Sequence, residues 1–430
     1  MNKSMARSII MLALITLVLF ITGCKNMDTK EGVSDGVTIT PVIPSETLDS
    51  EEEEISIVPT PGIESSIKDP EMEMIERSLF TTGNNYRMKK VIEKAKKGED
   101  ITIAYIGGSI TEGYNAGTPD NFAKLTTEYF ASTYGIGDNV HMVNAGLSGT
   151  PSTLGLIRAD RDIFAYNPDI IFIEFAVNDA GSGTDPIAFE SLIVKALKQE
   201  KEPAVVLLFS VIESGYTCQT QMSMTGFHYK LPMISVKDAL QPEFDAGRMT
   251  WEDWSSDESH PNVYGHELYS KFIINYLDRV EAGKADEAIE LPSKFKTRTD
   301  YSDMELIDKT NMDVTDLGSF HEESAHSHFP NGWVKAKDST ENESFQFTTK
   351  AKSLFIIYKE VKEATYGMAE VFVDGEKVAN LAGKTSSGWG NPKTALVYSH
   401  SEEALHTIEI KMAEEDKDKA FAILGFGVCW

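Results

Sequence analysis

Residues Ile101–Gly113 read ITIAYIGGSITEG. Five of the first six residues are apolar, two glycines follow, and Ser109 stands where the chain is expected to turn. Such a run reads as a buried strand ending in a tight turn into a helix. A serine there has two possible duties. It is a good helix N-cap, its oxygen accepting a backbone N–H. It could also be a nucleophile held at the carboxyl edge of a sheet, where open α/β sheets place their ligand sites. The stretch alone does not separate the two; a base, an orienting acid and oxyanion donors elsewhere would.

Outward from this stretch the same rhythm repeats. VHMVNAG, DIIFIEFAV, AVVLLFSV and PMISV are further near-continuous apolar runs, as expected of parallel strands covered on both faces. Between them, NFAKLTTEYFAST, STLGLIRADRDIFAY and DPIAFESLIVKALKQE have helical spacing, and GHELYSKFIINYLDRVEA closes the series. This alternation predicts an α/β fold, a doubly wound parallel sheet of flavodoxin-like type, over residues 76–290. After a linker at 291–302 the period changes to two. SLFIIYKEV, MAEVFVDGEKVANL, TALVYSH, HTIEIKM and FAILGFGVCW predict an antiparallel, jelly-roll-like β-sandwich over 303–430, with a hairpin turn at Asp374-Gly375.

The amino terminus has another character. Lys3 and Arg7 precede the apolar run SIIMLALITLVLFI, which ends in ITGC. Residues 1–24 are expected to be a signal peptide, and ITGC resembles the bacterial lipobox, in which the cysteine, here Cys24, is lipidated. Residues 25–75, acidic and poor in large apolar side chains, are expected to be a disordered tether. The implied location is extracytoplasmic, lipid-anchored to the outer face of the cell membrane. The net charge of −27, with no basic stripe, argues against a nucleic-acid partner and against peripheral binding to anionic lipid. Three cysteines offer neither a disulfide framework nor metal-ligand spacing, so no metal and no cofactor are expected. The oligomeric state is not legible.

Four downstream features bear on Ser109. NAGLSGT puts Gly149 on a loop after the second strand, and FAVND puts Asn178 after the third. SSDESHPN sets Asp257 three residues before His260, just ahead of the closing helix. A serine hydroxyl needs a base such as His260, and the base needs an acid such as Asp257 to fix its tautomer. The backbone N–H groups of Ser109 and Gly149 and the Asn178 amide could serve an oxyanion. Taken singly, each feature is as readily a turn, a loop glycine or a helix start.

Together the blocks IGGSIT, NAGLSGT, EFAVND and DESHPN resemble those of the SGNH (GDSL-like) hydrolases, over about Ile101 to Leu277. GGSIT departs from the Gly-Asp-Ser-Leu form, as in a variant common among bacterial members acting on sugar esters. The resemblance implies Ser109 as nucleophile, His260 as base and Asp257 as its orienter. It also implies Ser109, Gly149 and Asn178 as oxyanion donors. A hydrolase domain followed by a sandwich is similar to bacterial carbohydrate O-acetylesterases, which implies a serine esterase acting on acetylated mannan or xylan, with a carbohydrate-binding-like second domain. Trp389 in TSSGWGNP, Trp254 and Trp251 are then candidate sugar platforms, each with a packing alternative. Rival readings are a lipase or arylesterase, a sugar O-acetyltransferase with the same triad, and a non-catalytic surface sugar-binding lipoprotein. His321, His326 and His328 are expected in a solvated loop, and Glu174 beneath the Ser109 turn.

Overall fold

The computed structural model describes residues 69–116, 120–297, 300–339 and 341–430; the leader, Cys24 and almost all of the expected tether lie outside them. The first part runs α1 (Pro70–Arg77), β1 (Leu79–Thr81), α2 (Tyr86–Lys96), β2 (Ile101–Gly107), α3 (Ser109–Glu112), α4 (Phe122–Tyr134), β3 (Val140–Gly146), α5 (Ser152–Asp162), β4 (Ile170–Glu174), α6 (Asp185–Leu197), β5 (Ala204–Phe209), α7 (Gln219–His228), β6 (Met233–Ser235), α8 (Val236–Asp245), α9 (Trp251–Trp254) and α10 (Val263–Ala282).

Its six strands lie in the order β1-β6-β5-β4-β2-β3, all parallel except β1, which pairs antiparallel with β6. This is the flavodoxin-like order, and the winding reverses between β2 and β4. Register aligns Gly107 of β2 with Gly146 of β3 and Glu174 of β4, so three strand ends meet at the reversal. The central strands are apolar throughout because both faces are covered. Ile103, Tyr105 and Phe172 face the cluster that includes α2, α4 and α10. Ala104, Ile106 and Ile173 face the one that includes α5 and α6.

One boundary differs from expectation. Residues 70–75, assigned to the tether, belong to α1, which Asp69 caps and Pro70 opens. Its acidic, Met-rich sequence resembles the tether, but Met74 is buried. The strand β1 is likewise an addition.

The second part runs β7 (Met304–Ile307), β8 (His321–Glu322), β9 (Trp333–Lys335), β10 (Phe345–Glu360), β11 (Met368–Val373), β12 (Glu376–Ala382), β13 (Asn391–Met412) and β14 (Phe421–Cys429). The strands form one antiparallel path, β12-β11-β13-β10-β14-β9-β8, with β7 also on β14. The runs 394–400 and 406–412 are a single long strand, β13, paired along the length of β10. Asp374 and Gly375 both take positive φ, 52° and 83°, as a two-residue hairpin turn requires.

One face of this sheet closes on Phe345, Phe347, Leu354, Ile356, Ile408, Ile410 and Phe426. The reverse face of β10 and β14 supplies Phe355, Ile357, Ala422, Leu424 and Cys429 to the same core as Ile157 and Leu192 of the first part. All nine residues of β14 are therefore buried. A Cβ on Gly427 would lie 2.6 Å from the Ile157 side chain, so any larger residue there forces Ile157 to move. The connecting segment is pinned too: the N–H groups of Lys296 and Thr297 donate to Glu190 at 2.6 and 2.7 Å.

Candidate active site

Ser109 opens the one-turn helix α3 directly after β2 and is 8% exposed. The loop before α10 brings up its partners. That loop is folded on itself by Ser255, whose hydroxyl donates to the carbonyls of Asp257 (2.7 Å) and His260 (2.5 Å). Asn262 then caps α10, accepting from the Gly265 N–H at 2.9 Å. The result places His260 Nε2 2.8 Å from Ser109 Oγ. His260 Nδ1 lies 3.0 and 2.9 Å from the two Asp257 oxygens.

Asp257 also accepts from the N–H groups of Ser259 and His260 and from Asn115 Nδ2, at 2.8, 2.8 and 3.0 Å. Partial burial pushes its carboxyl up, but these bonds together outweigh it and hold the group at about 2. It is therefore ionised at neutral pH and accepts from Nδ1–H, leaving Nε2 as the lone-pair side facing the serine hydroxyl. The arrangement can deprotonate Ser109 as it attacks an acyl carbon.

Gly149 follows β3 with φ +67°, a conformation that favours glycine. A Cβ there would sit 2.9 Å from Cζ2 of Trp389, so the β-domain indole lies against this loop while remaining 59% exposed. Asn178 ends a turn in which its own N–H donates to the Phe175 carbonyl at 3.0 Å. Its side-chain amide packs against Gly108, beside Ser109. The Asn178 amide thus lies beside the Ser109 turn, and the loop that carries Gly149 is tied to the same strand end by the Leu147 N–H, which donates to the Gly107 carbonyl at 3.0 Å.

Two buried acids brace these loops. Glu174 accepts from Thr111 Oγ1 at 3.0 Å beneath the Ser109 turn, as expected, and burial pushes its carboxyl up to about 7. Asp179 accepts from the Ser152 N–H and hydroxyl at 2.7 and 2.6 Å. It thereby ties the Asn178 turn to the start of α5 and to the Gly149 loop. Burial first and the neighbouring Asp185 second push it up to about 8.

The other aromatic expectations divide. Trp254 is not a sugar platform: it is 1% exposed and stacked on Phe272, because α9 turns it into the core beneath α10. Trp251 is a buttress, donating from Nε1 to the Asp257 carbonyl at 2.7 Å. Sequence reasoning missed Tyr114, whose ring lies 4.5 Å from the His260 ring and is 53% exposed, and Asn115. Only Asn115, at a left-handed φ of 71° that suits asparagine, carries a local sign. The histidine segment is not simply solvated. His328 bonds Asp162 at 2.8 Å and His326 is half-buried, while His321 pairs with Glu323 at the surface. Among the described residues no group of three His, Cys, Asp or Glu side chains could hold a metal ion.

Comparison with known proteins adds to this geometry. Residues 105–268 match the GDSL-like Lipase/Acylhydrolase family. A two-domain esterase active on acetylated mannans shares 27% identity and superposes with a TM-score of 0.75, covering 83% of this chain and 98% of that one. The same esterase co-crystallised with mannopentaose matches equally well, with 97% of that chain covered. An arylesterase of Vibrio mimicus is 22% identical over 178 residues, 41% of this chain and 87% of that protein. Strand order, blocks and matches together identify a GDSL-like (SGNH) lipase/acylhydrolase domain over residues 105–268 and make the chain a carboxylic ester hydrolase.

Proposed function

We propose that the protein is a serine-dependent carbohydrate O-acetylesterase, acting on an acetylated polysaccharide or oligosaccharide of mannan type. The observation that carries this is the Asp257–His260–Ser109 chain of contacts with the β-domain's Trp389 laid against Gly149 at its edge. The two-domain relative acts on acetylated mannans, which supports mannan over xylan.

In this mechanism His260 Nε2 takes the Ser109 proton as Oγ attacks the acetyl carbonyl carbon. The Ser109 and Gly149 N–H groups and the Asn178 amide hold the oxyanion. His260 then gives that proton to the departing sugar oxygen as its bond to the acetyl carbon breaks, the sugar leaves with a free hydroxyl, and an acetyl-enzyme remains on Ser109. Water, deprotonated by His260, attacks the ester carbon; acetate leaves and the proton returns to Oγ. Asp257 stays ionised and stabilises the imidazolium. Trp389 offers its exposed face to a sugar ring next to the acetylated one.

The test is mass spectrometry of acetylated mannan, xylan, pectin and peptidoglycan fragments before and after incubation. Loss of acetyl from mannan fragments is expected; loss confined to another class would replace the substrate. We further propose that Cys24 carries a lipid anchor holding the enzyme outside the cell membrane. A mature amino terminus other than a modified Cys24 would sink that reading.

A further inference from the structure

Arg158 is the one side chain of α5 that takes a charge into the core, and it is fully buried. A guanidinium there is destabilising unless paired and hydrogen-bonded. It donates from one nitrogen to the carbonyl of Gly107 at 3.1 Å and from another to Asp162 Oδ2 at 2.9 Å. The Gly107 carbonyl is a junction: it also accepts from the Leu147 N–H at 3.0 Å, two residues before Gly149, and it lies two residues before Ser109.

Asp162, at the far end of α5, is held in turn. It accepts from Arg161 Nε at 2.6 Å and, at 2.8 Å, from Nε2 of His328, which belongs to the β-domain. Burial raises its carboxyl, but His328, Arg161 and Arg158 together hold it well below the usual carboxylate range. His328 is set by local contacts of its own. Its N–H donates to His326 Nδ1 at 3.1 Å, and the neighbouring Phe329 is 2% exposed in the shared core. A continuous chain of hydrogen bonds therefore runs from the β-domain to the backbone in front of the serine.

We infer that His328, Asp162 and Arg158 form a positioning relay through which the docked β-domain holds the Gly107 carbonyl, and with it the Ser109 turn and the Gly149 loop, in the reactive geometry. None of the three touches substrate. The relay gives the β-domain a duty separate from sugar contact: it sets turnover even for an ester too small to reach Trp389. The inference rests on the proposed role of Ser109. Failure of that role would show separately, as activity surviving in Ser109→Ala.

The test uses the full chain and a small aryl acetate. His328→Ala is expected to lower kcat about tenfold with KM within about twofold, since small displacements of reacting groups have effects of that size or larger. His328→Gln keeps an N–H donor near Nε2 and is expected to recover kcat to within about twofold of wild type. Lys195→Ala is the control for loosened docking: Lys195 donates to the Met304 carbonyl at 2.7 Å across the same interface and to Asp160 of α5 at 2.6 Å, but has no bond to His328, Asp162, Arg158 or Gly107. It should lower the melting temperature as His328→Ala does, and leave kcat unchanged. The relay is overturned if His328→Ala keeps wild-type kcat, if Gln fails to rescue it, or if Lys195→Ala loses kcat to the same degree.

Discussion

The two sheets contribute to the site in opposite ways. The parallel sheet offers its strand ends: Gly107, Gly146 and Glu174 fall in register, and the loops that leave them carry Ser109, Gly149 and Asn178. The antiparallel sheet offers a face and a loop. Its β10 and β14 residues share a core with α5 and α6, and that docking lays Trp389 against Gly149. Chemistry at a strand end follows from local backbone geometry. A contribution by docking follows only from how two distant surfaces match. The first kind of site tolerates change in the second sheet only as far as the shared core permits.

The sharpest way to probe this division is to remove the chemistry from the first sheet alone. Ser109→Ala is expected to cut turnover of an acetyl ester by ~10³ or more, on the scale for loss of a triad member, with the melting temperature little changed. Near-full activity on a chromogenic acetate would reduce Ser109 to a helix-start residue. Trp389→Ala probes the other side. It should lower kcat/KM for acetylated oligosaccharides by ~10-fold, in line with ~1–2 kcal/mol for a lost aromatic contact, and barely affect a small aryl acetate. Equal losses on both substrates would mean that the indole acts through the Gly149 loop and not through a sugar.

The same division explains what was legible in the sequence. Strand–helix alternation is a periodic signal, and each parallel strand stands out as an apolar run because helices cover both faces. The block residues were legible because each sits beside a turn, and Asp257 and His260 lie three residues apart. The Asp374-Gly375 hairpin was local as well. What stayed hidden depends on distant partners. Asn115 meets Asp257 across 142 residues, and His328 meets Asp162 across 166. Nothing around His328 distinguishes a buried interface from a polar loop. Trp254 misled because α9 is a single turn, and a four-residue segment shows too little periodicity to tell a core face from an open one.

A smaller effect tests how tightly the two sheets are joined. Gly427→Ala adds one methyl where Ile157 stands 2.6 Å away, and overpacking of this kind destabilises by ~1–3 kcal/mol. A drop of several degrees in the melting temperature is expected, recovered in part by Ile157→Ala, which removes both Cγ1 and Cδ1, the two atoms in the way. An unchanged melting temperature would mean that the interface yields readily, and the docking of Trp389 with it.

The smallest expected effect lies under the junction of the strand ends. Burial raises the Glu174 carboxyl from its ordinary 4.5 to about 7, with the bonds from Ser210, Thr111 and Gly108 only partly opposing it. The folded chain therefore keeps this proton at pH values where the unfolded chain has released it. Stability from this group is fully present below about pH 4.5 and is lost as pH rises through about 7. Glu174→Gln is neutral at every pH and still offers an acceptor to Thr111, so it escapes that loss. The melting temperature of Glu174→Gln minus that of wild type should therefore increase as pH goes from 5 to 8, whatever its value at pH 5. Asp179 is raised in the same direction, to about 8, so part of the wild-type slope should persist in the variant and disappear only when Asp179→Asn is added. A difference that stays flat between pH 5 and 8 would mean that Glu174 is already ionised in the folded chain. The Ser109 turn would then rest on a buried charge, and the strand-end junction would be held by electrostatics rather than by neutral hydrogen bonds.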